Sequence, residues 1–323
     1  MSDQYLHVHA GLGEDGILMA TELTAALEGL DNVAVLLDEP LAKHTSLGVG
    51  GPADLFVVPR SIEALQSAVK LAATYDVPMH VLGEGTNLVV RDGGIRGMVL
   101  KMGRNLAQVR HDGNQVVAQA GARLALLCRK CCEWGLSGLE FASGIPGSIG
   151  GALVMNAGAY DGEMAHVVEW VMAIDRSGEK LKLHRDELGM SYRRSVFQDN
   201  GMLIACAAFL LTPCDHRVIR SRIYSVVEER CGKQPVARRS AGSIFKRPEG
   251  DYAGRMLEEV GAKGMRVGGA MISEKHANFI VNHDHATATD VLALIAHVRQ
   301  RVHDRFGVWL QTEVVTVGDD RKP

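Results

Sequence analysis

The chain has 323 residues, 46% hydrophobic and 23% charged, the balance of a soluble globular protein with ample apolar material for a core. Its net charge of -3 gives no field that would gather nucleic acid or an anionic membrane, so an anionic ligand must be held by local groups. At roughly 100–200 residues per domain, two or three domains are expected.

The first twenty residues include Asp3, Glu14 and Asp15 and lack the apolar stretch of a signal peptide. The longest apolar run, 202–211, is half of the ~20 residues a spanning helix needs, and it reads as a buried strand. A cytoplasmic location is expected. Gly11-Leu12-Gly13-Glu14-Asp15-Gly16 matches the dinucleotide pattern G-x-G-x-x-G. However, Glu14 and Asp15 would stand where a pyrophosphate meets a helix N-terminus, and two carboxylates there repel it. His7 and His9 also suit a central parallel strand poorly. The segment reads as a surface turn before a helix.

Residues 54–58 form a candidate strand. A helix follows with Ser61 as N-cap and Ile62, Leu65, Val69 and Ala72 on one face, and Pro78 stops it. Strand 79–82 then runs into Gly83-Glu84-Gly85-Thr86-Asn87. From residue 107 the pattern changes. Segments 107–110 and 115–118 flank Asp112-Gly113-Asn114, and 167–174 and 179–183 flank Asp175-Arg176-Ser177-Gly178; both read as hairpins, with a helix at about 124–134 between them. This block is expected to be largely antiparallel. The last third returns to helices, at 216–231 and 288–306, with strands at 277–281 and 308–317.

Three of the six cysteines, Cys128, Cys131 and Cys132, crowd into the predicted 124–134 helix, unlike a disulfide framework. No second pair sits at zinc-ligand spacing, so reduced thiols and no metal are expected. The His283-x-His285 pair, in a turn-like stretch, reads as solvated.

Two glycine loops suit a dinucleotide. In 83–87, Gly85 removes side-chain bulk so that backbone N–H groups can approach phosphate, and Thr86 and Asn87 add neutral donors. A plain tight turn fits that loop equally. Gly144-Ile145-Pro146-Gly147-Ser148-Ile149-Gly150-Gly151 is more distinctive, because ordering four glycines in eight residues is entropically costly. It can wrap a large rigid ligand, and it is not a Walker A loop because no Gly-Lys-Ser/Thr follows. A purely structural role stays open for it.

Three further groups carry potential chemistry. Tyr192-Arg193-Arg194 offers a guanidinium for bidentate carboxylate binding, or a surface ion pair. Ser240-Ala241-Gly242-Ser243 is a small-residue turn that presents a serine, followed by Lys246 and Arg247. With no Ser-His-Asp arrangement or G-x-S-x-G, a hydrolase nucleophile is not indicated. Glu313 lies in the apolar stretch 308–317, where it either faces solvent or has a partner; if buried, it can stay protonated.

Taken in order, these segments resemble the UDP-N-acetylenolpyruvoylglucosamine reductase family over about residues 40–318. The resemblance rests on His44-Thr45-Ser46-Leu47-Gly48-Val49-Gly50-Gly51, on loop 83–87, and on Gly138-Leu139-Glu140-Phe141 leading into 144–151. It continues through Asn156-Ala157-Gly158-Ala159-Tyr160, Tyr192-Arg193, Ala241-Gly242-Ser243, Gly268-Gly269-Ala270, Lys275-His276-Ala277-Asn278-Phe279 and the segment bearing Glu313. It implies an α+β fold: a two-domain FAD scaffold of the vanillyl-alcohol-oxidase/PCMH type plus a C-terminal α+β substrate domain. The implied divisions are a variable extension 1–40, a first FAD subdomain 41–104 joined by the returning segment 308–323, a second FAD subdomain 105–230, and a substrate domain 231–307.

The resemblance also implies FAD as cofactor, NADPH as hydride donor and a UDP-sugar substrate, in a monomer without nucleic-acid or membrane partners. FAD would be held by Leu82, Gly83, Glu84, Gly85, Thr86, Asn87, Ile145, Pro146, Gly147, Ser148, Gly150, Gly151, Asn156, Ala157 and Gly158. Ser243, Arg193 and Glu313 would be catalytic, and Arg193, Lys233, Arg247 and His276 would contact substrate. Only fifty positions separate Arg193 from Ser243, too few for the tyrosine-bearing lid insertion of one form of the family plus the strand and helix read there. The shorter, lidless form is expected. Another flavin oxidoreductase on the same scaffold, or a non-catalytic UDP-sugar binder, is the alternative.

Overall fold

The computed structural model describes residues 14–320, with side chains from residue 21 onward. The Gly11 and Gly13 positions of the N-terminal glycine pattern lie outside the described residues. The chain divides into two compact units. One comprises the described residues up to Leu37 together with Leu55–Glu84 and Gly97–Glu229; the other comprises Asp38–Asp54, Gly85–Arg96 and the chain from Arg230 onward.

In the first unit, helix Ile62–Thr74 begins where Ser61 Oγ accepts from Ala64 N at 3.0 Å. It buries Leu65, Ala68, Val69 and Ala72, the apolar stripe expected of a 3.6-residue period. Helix Glu14–Glu28 adds the fully buried Leu23 and Leu27 to the same core. Strand Met79–Leu82 pairs in parallel with Ile95–Lys101, setting Leu82 opposite Lys101. Strands Pro52–Pro59 and Val33–Pro40 complete that sheet.

A second, antiparallel sheet runs in the order Lys180–His184, Val168–Ile174, Leu203–Leu210, Gln115–Gln119, Val109–Asp112. The apolar run expected to be a buried strand is its central member, with Leu203, Ile204, Ala205, Ala207, Ala208 and Phe209 all buried. Both expected hairpins are its flanks. Helix Leu124–Glu133 lies between those hairpins in sequence and buries Leu127, Cys128 and Cys131. One expectation fails here. The glycine run does not stay a loop through Gly151: Ile149–Val154 is a short helix. Its glycines have poor helix propensity, but Gly150 packs where a Cβ would stand 3.1 Å from the Ala120 Cβ, so tertiary packing overrides local preference.

In the second unit, four antiparallel strands run in the order Ser240–Ser243, Phe279–Asn282, Ala270–Ile272, Arg266–Val267. Helix Ala288–Phe306 presents Val291, Leu294, Ile295, Val298 and Val302 to a core that also holds Phe245, Leu257 and Ile280. Its start is capped twice. Thr287 and Asp290 form a capping box, and the Asp92 carboxylate accepts from Ala288 N at 2.8 Å, Thr289 N at 2.9 Å and Thr289 Oγ1 at 2.6 Å. Burial pushes the Asp92 carboxyl upward, but the hydrogen bonds from Thr289 and Ala288 outweigh it and hold the pKa below the usual carboxylate range.

The expected strand 308–317 is corrected. Only Val315–Val317 is a strand, paired in parallel with Leu88–Val90. The preceding residues follow segment 244–246 instead of a straight neighbour: Lys246 N donates to Gln311 O at 2.8 Å, and Glu313 N to Ile244 O at 2.7 Å. Glu313 therefore sits on an extended but irregular stretch before the strand, and it is half-buried.

Candidate active site

The glycine loops of the first unit are shaped by close packing. A Cβ on Gly83 would stand 2.5 Å from Ser148 Oγ, the same hydroxyl that accepts from Gly151 N at 3.3 Å to cap helix Ile149–Val154. Gly83 is thus a position where bulk would disturb the second glycine segment. The run is stitched to its surroundings by main-chain bonds, from Leu124 N to Gly147 O at 3.0 Å, Ile149 N to Ala122 O at 2.8 Å and Gly150 N to Ala120 O at 2.9 Å. Glu84 is neutralised by Arg123 at 2.7 Å. The Lys101 ammonium donates to Gly83 O. Burial lowers its pKa, and the Glu84 charge partly opposes this. Sequence reading passed over Lys101; the signal available was a lysine closing the buried apolar run Met98–Leu100.

Asn156 is fully buried and in the left-handed region, with φ +40°. Its Nδ2 donates to Ser191 O at 2.9 Å, and its Oδ1 accepts from Ala165 N at 2.9 Å. It thereby anchors the turn that carries Arg193, where Ser191 and Arg194 exchange both main-chain bonds at 3.0 and 3.1 Å. Arg193 adopts φ +55°, a conformation that costs a non-glycine residue on the order of 1 kcal/mol. Its Nη2 donates to Gly158 O at 3.1 Å, its guanidinium lies 5.0 Å from the Tyr192 ring, and Gln198 Nε2 donates to its carbonyl at 3.0 Å. So in the first unit hydrogen bonds tie 156–158 to the turn that carries Arg193, while Gly83 packs against Ser148 and Glu84 pairs with Arg123. Ser195, whose hydroxyl donates to Val154 O at 2.8 Å, adds a further tie.

The second unit gathers the remaining groups. Gly85, at φ +61°, lies where a Cβ would stand 2.3 Å from His44 O. Ser46 N donates to Gly85 O at 3.0 Å, and Ser46 Oγ to Ser240 O at 2.6 Å. Asn87 Nδ2 donates to Glu313 O at 3.0 Å, and Val315 N donates to Asn87 O at 3.0 Å. The tail of the 83–87 loop is therefore joined to the serine turn through Ser46 and to the glutamate segment through Asn87.

Ser243 closes strand Ser240–Ser243, opposite Phe279, after a register shift at which Gly242 takes φ +75°. Such bulges re-aim side chains next to functional sites. Arg247 is exposed and lies 4.0 Å over the Tyr252 ring; Lys233 is exposed in the last turn of helix His216–Lys233. The His276 ring accepts from Asn278 N at 3.2 Å and packs edge-on to Phe279. Burial, then the Lys263 charge, hold its pKa below the ordinary histidine value, so it is neutral at pH 7.

Comparison with known proteins decides the family. The chain is 44% identical over 289 residues to the UDP-N-acetylenolpyruvoylglucosamine reductase of Clostridium botulinum, covering 90% of this chain and 94% of that one. The chain belongs to the UDP-N-acetylenolpyruvoylglucosamine reductase family. The Exiguobacterium sibiricum reductase is 44% identical over 94% of this chain and 100% of its own length. The crystal structure of the Thermus caldophilus reductase superposes with a TM-score of 0.75 at 37% identity, covering 88% of this chain and 98% of that chain. The profile of an FAD binding domain matches residues 53–184, and that of the UDP-N-acetylenolpyruvoylglucosamine reductase C-terminal domain matches 234–317. This family member is accordingly an FAD-dependent oxidoreductase. Between Arg193 and Ser243 the chain forms strand Leu203–Leu210, a short strand Thr212–Pro213 and helix His216–Lys233, which fill the interval in which a lid insertion would have to lie.

The glycine segments fit a flavin dinucleotide. Gly83 and Gly150 are packed tightly against the Ser148 hydroxyl and the Ala120 Cβ, so neither puts a side chain over the loop, and the Lys101 ammonium stands beside it. Cys128 and Cys131 are buried, and burial raises both thiols, Cys128 to about 11, which keeps them protonated at neutral pH. Among the described residues no cluster of metal-ligating side chains occurs, and no helix is long and apolar enough to cross a membrane.

Proposed function

We propose that the protein reduces the enolpyruvyl ether of UDP-N-acetylglucosamine enolpyruvate to UDP-N-acetylmuramate in the cytoplasm, with NADPH as electron donor, as a step of peptidoglycan precursor synthesis. The observation that carries this reading is the joint presence, within one second unit matched by the family's C-terminal domain, of Ser243 on a bulged strand and Glu313 on the segment bonded to Ile244. FAD, when bound, would supply two-electron chemistry between NADPH and the terminal enolpyruvyl carbon, to which the hydride is added. The protein's part is orientation, field and the proton. Hydride addition leaves negative charge on the carbon beside the substrate carboxylate, an enediolate-like species that needs preorganised donors. Arg193, whose turn is anchored by Asn156 and whose guanidinium donates to Gly158 O, supplies fixed positive charge to that species, assisted by Glu313. Ser243 donates the proton to the neighbouring carbon. A serine hydroxyl is a weak acid in water, but the species it meets is strongly basic. One hydride and one proton then saturate the double bond. Arg247, Lys233 and neutral His276 contact the rest of the UDP-sugar.

In this reading FAD is held by Leu82, Gly83, Glu84, Gly85, Thr86, Asn87, Ile145, Pro146, Gly147, Ser148, Gly150, Gly151, Ala157 and Gly158, with Asn156 acting by shaping the segment. The test is an anaerobic half-reaction experiment. Flavin bleached by NADPH regains its colour when the enolpyruvyl sugar is added. Colour that returns only with another electron acceptor overturns the substrate assignment and favours a different flavin oxidoreductase.

A further inference from the structure

Ser243 is followed by two residues whose main-chain groups are tied down around one asparagine. Ile244 and Phe245 are each 1% exposed, so their peptide groups cannot turn to water. Ile244 N donates to Asn278 O at 2.9 Å, and Ile244 O accepts from Glu313 N at 2.7 Å. Phe245 N donates to Asn278 Oδ1 at 2.9 Å, and Phe245 O accepts from Asn278 Nδ2 at 2.9 Å. The Asn278 amide thus reads Phe245 as a neighbouring strand residue would, donor to acceptor and acceptor to donor. It does so one residue before Phe279, the partner of Ser243 across the sheet. Strand Phe279–Asn282 begins only at Phe279, and the bulge before Ser243 breaks the regular ladder. Beyond the last registered pair, Ser243 with Phe279, the side-chain amide supplies two further bonds, to Phe245.

We propose that Asn278 is a positioning residue for the protonation step: its amide fixes the Ser243–Phe245 backbone and, through Ile244 O and Glu313 N, sets the placement of Ser243 and Glu313 together. This rests on the assignment of Ser243 and Glu313 to that step. A displacement of about 1 Å at a reacting group costs on the order of 100-fold in rate, and the backbone that Asn278 clamps is the one that carries Ser243 and bonds Glu313.

Asn278→Ala and Asn278→Asp, with Ser243→Ala alongside, separate the possibilities when each half-reaction is timed by stopped flow. Asn278→Ala is expected to leave flavin reduction by NADPH within about twofold and to slow reoxidation by the enolpyruvyl sugar by roughly 30- to 100-fold. Asn278→Asp carries a sharper signature. The ionised carboxylate of that variant has no donor for Phe245 O, whereas the protonated carboxyl restores both bonds. Its reoxidation rate, divided by that of the wild type at each pH, should therefore climb as pH falls from about 8 to about 6, because burial raises the carboxyl's pKa. The ratio cancels titration common to both proteins, at His276, whose ring faces Asn278 N, at Glu258 and Lys263, which act on that ring, and at Glu313. A residue that merely supports folding would lower the melting temperature with reoxidation unchanged and the ratio flat, and that result overturns the proposal. Should Asn278→Ala fail to fold, the pH ratio of Asn278→Asp decides alone. If Ser243→Ala reoxidises normally, the assignment of Ser243 fails; if it is slow and both Asn278 variants are not, only the role of Asn278 fails.

Discussion

The two units hold their candidate site residues by different means. In the first, the glycine segments combine main-chain bonds to 120–124 with close packing, a Cβ on Gly83 standing 2.5 Å from Ser148 Oγ and one on Gly150 3.1 Å from the Ala120 Cβ. In the second, Ser243 and Glu313 are placed by directed bonds, from Asn278 to Phe245, from Glu313 N to Ile244 O, and from Asn87 to Glu313 O. Packing suits a large rigid ligand whose whole outline must be matched. Hydrogen bonds suit a proton donor, for which direction matters more than bulk.

If the comparison is right, damage to each unit should have its own signature. The largest effect belongs to the second. Ser243→Ala is expected to slow reoxidation by the enolpyruvyl sugar by at least ~100-fold, the usual loss on removing a general acid, while leaving reduction by NADPH intact. Single-turnover absorbance checks this, and near-normal reoxidation would remove Ser243 from the mechanism. Gly83→Ala should do the converse. It forces Ser148 off its cap, an overpacking of about 1–3 kcal/mol, so FAD affinity falls on the order of tenfold. Titration of the apoprotein with FAD reads that loss, and protein saturated with FAD should keep its reoxidation rate.

Arg247→Ala tests the outer part of the substrate. Loss of a charged hydrogen bond of about 1.5–3 kcal/mol should raise KM roughly tenfold or more with kcat little changed. An unaltered KM would take Arg247 away from the UDP-sugar. The smallest effect is structural. Asp92→Asn should lower stability by about 1 kcal/mol at pH 7, as expected for a weakened helix cap. Because the folded pKa of Asp92 lies below its unfolded value, the stabilisation is full above the ordinary carboxylate range and disappears as pH falls through the depressed value. Denaturant melts of the two proteins should therefore differ at pH 7 and converge in strong acid, without change in either half-reaction.

Much of the frame was legible because local chemistry and tertiary structure agree. Ser61 marked the start of helix Ile62–Thr74, the Asp-Gly-Asn turn marked one hairpin, and the apolar spacing from Val291 to Val302 marked helix Ala288–Phe306. What was not legible depends on partners distant in sequence. Helix Ile149–Val154 forms across two glycines because Ser148 caps it and Ala120 packs against it. Residues 311–314 bend away from a regular strand because they follow segment 244–246. Hairpin Arg266–Val267 with Ala270–Ile272 was too short to show a period. For the site, glycine spacing suggested candidate cofactor loops on physical grounds, with a plain tight turn equally open for 83–87. Ser243 and Glu313 stood out only through the family pattern, since a serine in a turn and a glutamate in an apolar stretch have ordinary explanations. Asn278 was part of that pattern, but its clamp on Phe245, thirty-three residues away, leaves no local trace.

This FAD enzyme is proposed to pass electrons from NADPH to an enolpyruvyl UDP-sugar, and the anaerobic absorption spectrum of the purified protein reads that transfer itself. The expected result is a flavin spectrum that bleaches on adding NADPH and returns, mole for mole, on adding the sugar. Bleaching without return would contradict the substrate, and a flavin that NADPH does not bleach would contradict the donor.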